Sequence, residues 1–163
     1  MTKKQYIIKY STIVGIIVLV LVADLVTKHF FCDTEKIEII PHLINFETNH
    51  GNDGMAFGML SGKTWLLIII SFVFLMLIII ADIKFMPKSM LYNIAIAFII
   101  GGAIGNLWDR IKLKYVRDFI NFTFWKSFPT FNIADSFLCV GVVLISIYLV
   151  FFYKEKETNG KRS

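Results

Sequence analysis

Apolar residues run along this chain in long blocks separated by short polar stretches, not at the periodic positions of a soluble core. A bilayer core of about 30 Å takes about 20 apolar residues of helix. Four blocks approach or exceed that length: residues 7–31, 65–83, 91–108 and 137–153. They predict an all-α membrane protein with four transmembrane helices, a single integral membrane domain over residues 1–163 with both termini on one side. The linker 32–64 then lies on the opposite side. In it Ile37-Glu38-Ile39-Ile40 and Leu43-Ile44-Asn45-Phe46-Glu47-Thr48 read as short strands around Pro41-His42. Residues 49–54, rich in Asn, Asp and Gly, read as a turn. A small β-rich subdomain is therefore expected on the membrane surface. Residues 115–125 mix Phe, Ile and Trp with polar groups and are expected to lie in the interface.

Composition narrows the class. With 56% hydrophobic and 18% charged residues, the chain has too much apolar content for disorder. The formal charge of +5 invites a nucleic-acid reading. However, much of the basic charge sits at the chain ends and in loops beside apolar blocks, which is membrane flanking, and no nucleic-acid partner is expected. The basic residues divide nine against eight between the two sides, so loop charge barely sets the orientation. The first helix often dominates. Three lysines precede or open it, which favours cytoplasmic termini and an outward-facing linker and 109–136 segment.

The first block is too long for a signal-peptide h-region and is followed by no small-residue cleavage site. His29-Phe30-Phe31 before Cys32 is too bulky for a lipoprotein signal, so an uncleaved span is expected. Cys32 and Cys139 set no disulfide framework and read as small apolar packing residues. His29, His42 and His50 show no metal-ligand spacing with them.

The informative residues are ionisable groups at span depth, where a charge costs about 2.5–3.5 kcal/mol or more. Asp24 and Lys28 stand at i and i+4 near the end of the first span. They read either as an interfacial ion pair with a snorkelling lysine or as a support for a site. Gly101 and Gly105 make a small-residue face for close helix approach. Asn106, Asp109 and Arg110 share one helix face, and either satisfy one another or build a polar site. Asn132 and Asp135 have the spacing of a helix cap and first-turn acid. Asp118 is a second acid with apolar neighbours. Two such carboxylates, if they meet, can share a proton and polarise a water. Asn52-Asp53-Gly54-Met55-Ala56-Phe57-Gly58 reads as an ordinary turn or a close approach to a ligand.

In order along the chain these stretches are Asp24-x-x-Thr27-Lys28, Asn52-x-Gly54-x-Ala56-Phe57-Gly58, Gly102-Ala103-x-Gly105-Asn106-x-x-Asp109-Arg110, Val116-x-Asp118-Phe119 and Phe131-Asn132-x-Ala134-Asp135. Together they resemble the lipoprotein signal peptidase family (signal peptidase II), bacterial aspartic peptidases of the cytoplasmic membrane. The resemblance implies that Asp118 and Asp135 are the catalytic dyad. Asn52, Gly54, Asn106, Arg110, Asn132 and Ala134 fall on substrate-binding positions, and Asp24, Lys28 and Asp109 on supporting ones. The implied substrates are diacylglyceryl-modified prolipoproteins, cut on the amino side of the lipidated cysteine near the outer leaflet. No metal or organic cofactor is implied. Membrane lipid, globomycin-type cyclic peptide inhibitors and a working monomer are further expectations.

Three positions depart from the family pattern: Met55 for alanine, Lys114 for glycine, and Arg117 for an apolar residue. Arg117, if close to Asp118, would favour its ionised form. The rival readings are a small ion- or proton-coupled transporter, a serine–lysine peptidase and a non-catalytic membrane scaffold. The polar residues crowd one side and the chain lacks two-halves symmetry, which argues against the transporter.

Overall fold

The structure is a computed structural model that describes residues 2–32, 35–52, 54, 60–85 and 88–153. Along the chain run α1 (Lys3–Phe31), β1 (Ile37–Ile40), β2 (Ile44–Asn52), α2 (Thr64–Phe85), α3 (Met90–Leu113), β3 (Val116–Phe122) and α4 (Ile133–Ile147). A π-helical turn, Tyr148–Tyr153, extends α4. All four helices, with that extension, are long and apolar enough to cross a membrane.

Local chemistry sets the helix ends. Thr2 and Gln5 form a capping box at the start of α1, with bonds of 3.3 and 3.0 Å. Ser89 caps α3. Lys114 ends α3 in the left-handed region at φ 72°, its N–H donating to Arg110 O at 3.2 Å. Lysine thus holds the conformation that glycine adopts without steric cost.

The bundle is arranged around α3, which packs mainly against α4 and α1. Close approach depends on missing side chains. A Cβ on Gly105 would stand 2.8 Å from Asp24 Oδ2, and one on Gly102 would collide with the Ala134 carbonyl oxygen. The apolar core joins Leu75, Tyr92, Ile96, Ile100, Ala103, Leu107 and Tyr148. Large apolar side chains such as Leu19, Leu77 and Val143 point outward, as lipid-facing residues must.

The three strands form one antiparallel sheet in the order β1-β2-β3. One expectation is corrected here: residues 49–52 continue β2 instead of turning, and they pair with β3, which lies in the segment expected at the interface. The reason is long-range pairing: Asn49 lies opposite Asp118 and Asn52 opposite Val116, which absorbs backbone groups that a local reading leaves to a turn. Asp53 lies outside the described residues, as does the Met55 departure. Phe119 is fully buried and stacks with Phe31 and Phe46 at centroid distances of 5.7 and 5.2 Å, fastening the sheet to the end of α1.

Candidate active site

β3 delivers Asp118 and the first turn of α4 delivers Asp135, and Asn132 joins them. Asn132 is wholly buried and caps α4: its side-chain oxygen accepts from Asp135 N at 2.9 Å, while Asp135 Oδ2 accepts from Asn132 N at 3.1 Å. Its amide nitrogen donates to Asp118 Oδ1 at 2.7 Å and to Asn106 Oδ1 at 3.0 Å. Asn106, on α3, donates in turn to Asp135 Oδ1 at 2.6 Å. The capping reading of Asn132 and Asp135 is therefore realised, and the same cap ties both carboxylates into one hydrogen-bonded loop.

Behind this loop sits Lys28, whose side chain is fully enclosed. Its ammonium meets three acceptors: Asp24 Oδ2 at 2.7 Å, Asp109 Oδ2 at 3.1 Å and Asn106 Oδ1 at 3.3 Å. That matches its three protons and rules out snorkelling. The other oxygen of Asp24 accepts from Ala134 N at 3.0 Å, placing a carboxylate at the positive end of α4. Four elements thus meet on buried charge. Removing one partner of such a pair costs about 3–5 kcal/mol, because the other charge is left unpaired.

No hydrogen bond joins Asn106, Asp109 and Arg110 among the described residues; beyond the shared Lys28, Asn106 reaches α4, Asp109 reaches β3, and Arg110 reaches Gly54. Asp109 accepts from the Arg117 guanidinium at 2.7 Å and from its backbone N–H at 3.1 Å. The Arg117 side chain thus pairs directly with Asp109. Partial burial pushes the Arg117 guanidinium down, but hydrogen bonding to Asp109 and its charge outweigh this and hold it above its ordinary value. Arg110 donates to Gly54 O at 3.2 Å, and its buried Nε has no partner among the described residues.

A cavity of about 440 Å³ opens beside the network. Asp135, Asn106 and Arg110 border it, whereas Asp118, Asn132 and Ala134 lie buried behind. Its apolar wall includes Phe122, Phe128 and Phe131, with mutual centroid distances of 5.2, 5.2 and 5.8 Å. Gly54 is buried, and the Asn52 side chain lies outside what is described. Thr130, Ser136 and Cys139 also line the cavity. Cys139 is exposed, whereas the sequence reading made it a packing residue. Its place four residues after Asp135, on the same helix face, is the signal that could have found it. Among the described residues, no three His, Cys, Asp or Glu side chains are grouped to hold a metal ion.

The profile of the family described as Signal peptidase (SPase) II matches residues 16–151. The chain is 40% identical over 164 residues to the lipoprotein signal peptidase of Staphylococcus aureus strain JH9, covering 98% of this chain and 96% of the relative. The proteins of strains Newman and Mu50 match to the same extent. Two solved structures of bacterial membrane enzymes share the fold. One has TM-score 0.79 and 39% identity, over 86% of this chain and 88% of the other. The second has TM-score 0.78 and 38% identity, over 87% and 94%. The match takes in α1, α3, β3 and α4, the elements that supply every charged group of the network, and this chain belongs to the signal peptidase II family.

Proposed function

We propose that this protein is an aspartic endopeptidase that removes signal peptides from diacylglyceryl-modified prolipoproteins, cutting on the amino side of the lipidated cysteine. The carrying observation is the Asn132 bridge, which links Asp118 to Asp135 at the edge of an aromatic-walled cavity. One carboxylate, ionised, takes a proton from water, and the water oxygen attacks the scissile carbonyl carbon. The other, protonated, donates to the carbonyl oxygen. Collapse of the tetrahedral intermediate breaks the C–N bond, and a proton passes to the departing amine of the cysteine. Four carboxylates (Asp24, Asp109, Asp118, Asp135) share the site with three cations (Lys28, Arg110, Arg117), so one shared proton brings the cluster to neutrality.

Asn106 and Arg110 border the cavity and can meet the extended peptide, with Arg110 Nε as a donor for a substrate carbonyl. Asn132 and Ala134 shape the pocket from behind, Asn52 and Gly54 take the substrate-binding roles the family pattern implies, and Asp24, Lys28 and Asp109 support the site. The phenylalanine wall suits acyl chains that stay in the bilayer. The enzyme acts as a monomeric single membrane domain, with cytoplasmic termini and the site near the outer leaflet. It needs no cofactor, and globomycin-type cyclic peptides occupy the same cavity. A transporter reading draws no support, since α3 presents Ile96, Ile100 and Ala103 to the core below the site.

A gel-shift assay with purified protein and a diacylglyceryl-modified prolipoprotein tests the proposal. Wild type cleaves before the cysteine with a bell-shaped pH profile, while folded Asp118→Asn and Asp135→Asn each lose about 10²–10⁴-fold in rate. Near-normal turnover in either variant would remove that aspartate from the mechanism.

A further inference from the structure

A second polar cluster lies at the other end of the helices. Asn93 is thirteen residues before Asn106 on α3, about 20 Å along the axis. Lys9 of α1 and Asp82 of α2 form a buried ion pair there at 2.6 Å. Beside it, a crevice of about 230 Å³ is bordered by Gln5, Lys9, Thr12, Lys88 and Asn93.

Three features of this crevice point to one ligand chemistry. First, it is electropositive. Asp82 neutralises Lys9, but Lys88, on the crevice wall, forms no ion pair among the described residues, and neither do Lys3 and Lys4 at the start of α1. Second, the N-terminal ends of α1 and α3 lie here, and neither carries an acidic residue in its first turn. Ser89 satisfies Tyr92 N, which leaves the N–H groups of Met90 and Leu91 outside the helical ladder. Third, Asn93 is 8% exposed, and its Oδ1 is buried without a hydrogen-bond partner among the described residues. A buried amide oxygen left unpaired is costly, and it calls for a donor. A phosphodiester alone supplies acceptors; a phosphodiester with a head-group hydroxyl supplies both.

We infer that this crevice binds an anionic phospholipid with a hydroxyl-bearing head group, of the phosphatidylglycerol type. The phosphate sits by Lys88 and the start of α3, the head-group hydroxyl donates to Asn93 Oδ1, and the acyl chains lie along the apolar flank of α1. The site lies at the end of the bundle remote from Asp118 and Asp135 and does not depend on their role.

Full-length protein in detergent is titrated with phosphatidylglycerol, phosphatidylcholine, phosphatidylmethanol or soluble glycerol phosphate, and bound lipid is read by native mass spectrometry. Wild type retains phosphatidylglycerol over phosphatidylcholine. Lys88→Ala, at an exposed position, lowers that retention about fivefold, the weight of one lysine at an anionic lipid surface, while prolipoprotein cleavage stays at wild-type rate. Asn93→Leu lowers retention of phosphatidylglycerol but not of phosphatidylmethanol, a phosphodiester with no hydroxyl to donate. Equal retention of phosphatidylglycerol and phosphatidylcholine overturns the inference, as does wild-type retention by Lys88→Ala. Displacement of the lipid by glycerol phosphate at equal concentration assigns the crevice to a soluble phosphoester and overturns the lipid.

Discussion

Asn106 donates to Asp135 across 2.6 Å, and through this contact α3 holds the first turn of α4 at the cavity edge. The same residue accepts from Lys28 and Asn132, so its amide uses both ends. Asn106→Leu keeps the volume but removes donor and acceptor together. It is expected to lower the cleavage rate about 10²-fold, the penalty of a displacement near 1 Å in a positioned group. Single-turnover cleavage, with a thermal melt to report folding, checks this.

Gly105 provides a steric test of the buried charge cluster. In Gly105→Ala the new methyl meets Asp24 Oδ2 at 2.8 Å and Ala134 Cβ at 3.2 Å, so the carboxylate must leave Lys28 or α4 must move. Loss of about 3 kcal/mol of stability is expected, with most activity. Gly15→Ala has nothing within 4 Å of its Cβ and is expected to keep both. Melting temperatures of the two variants in one detergent separate a local clash from a general intolerance of alanine.

Lys114 carries a strain that can be relieved. A non-glycine residue in the left-handed region costs about 1–2 kcal/mol. Glycine gives back about 0.5–1 kcal/mol of that through its freer unfolded chain. Lys114→Gly is therefore expected to stabilise by about 0.5–1 kcal/mol. The Thr64 hydroxyl still reaches the backbone carbonyl of residue 114, at 2.8 Å. Lys114→Ala gives no such gain, and equilibrium unfolding of the pair distinguishes backbone strain from lost charge.

Cys139 borders the cavity that Asp135 borders, while Cys32 is 3% exposed. A small methanethiosulfonate is expected to label Cys139, to block cleavage, and to be excluded by a bound cyclic-peptide inhibitor. Cys139→Ser is expected to cleave normally and resist the reagent. Peptide mass mapping locates the label.

Much of this molecule was legible in its residues, for reasons that differ from element to element. The membrane helices were legible because a fixed bilayer thickness demands long apolar blocks. Asp24, Lys28, Asp109 and Asp135 drew notice because charge at that depth needs a cause. The same reasoning applies to Lys9 and Asp82, yet Lys9 reads as one of the lysines opening the first block, and Asp82, at the end of the second, draws no reading. Only the folded bundle, in which α1 and α2 both pack on α3, brings them within 2.6 Å. β3 was not legible as a strand because its partner, β2, lies about seventy residues earlier and local pattern carries no trace of it. The direction of Arg117 was hidden for a related reason: Asp109, across the turn at Lys114, decides it.

The Lys9–Asp82 pair also bears on how the chain enters the bilayer during synthesis. α1 emerges first, carrying Lys9, Asp24 and Lys28, and Lys9 has no carboxylate partner within its own helix among the described residues. Only when α2 follows does Asp82 neutralise it, and only when α3 arrives does Lys28 gain its second carboxylate. The two ends of α1 are thus neutralised by different helices, the Lys9 end by α2 and the Lys28 end by α3, so its charge is fully paired only once all three are in place. A substitution at Asp82, remote from any peptide bond the enzyme cuts, would leave Lys9 an unpaired charge at span depth.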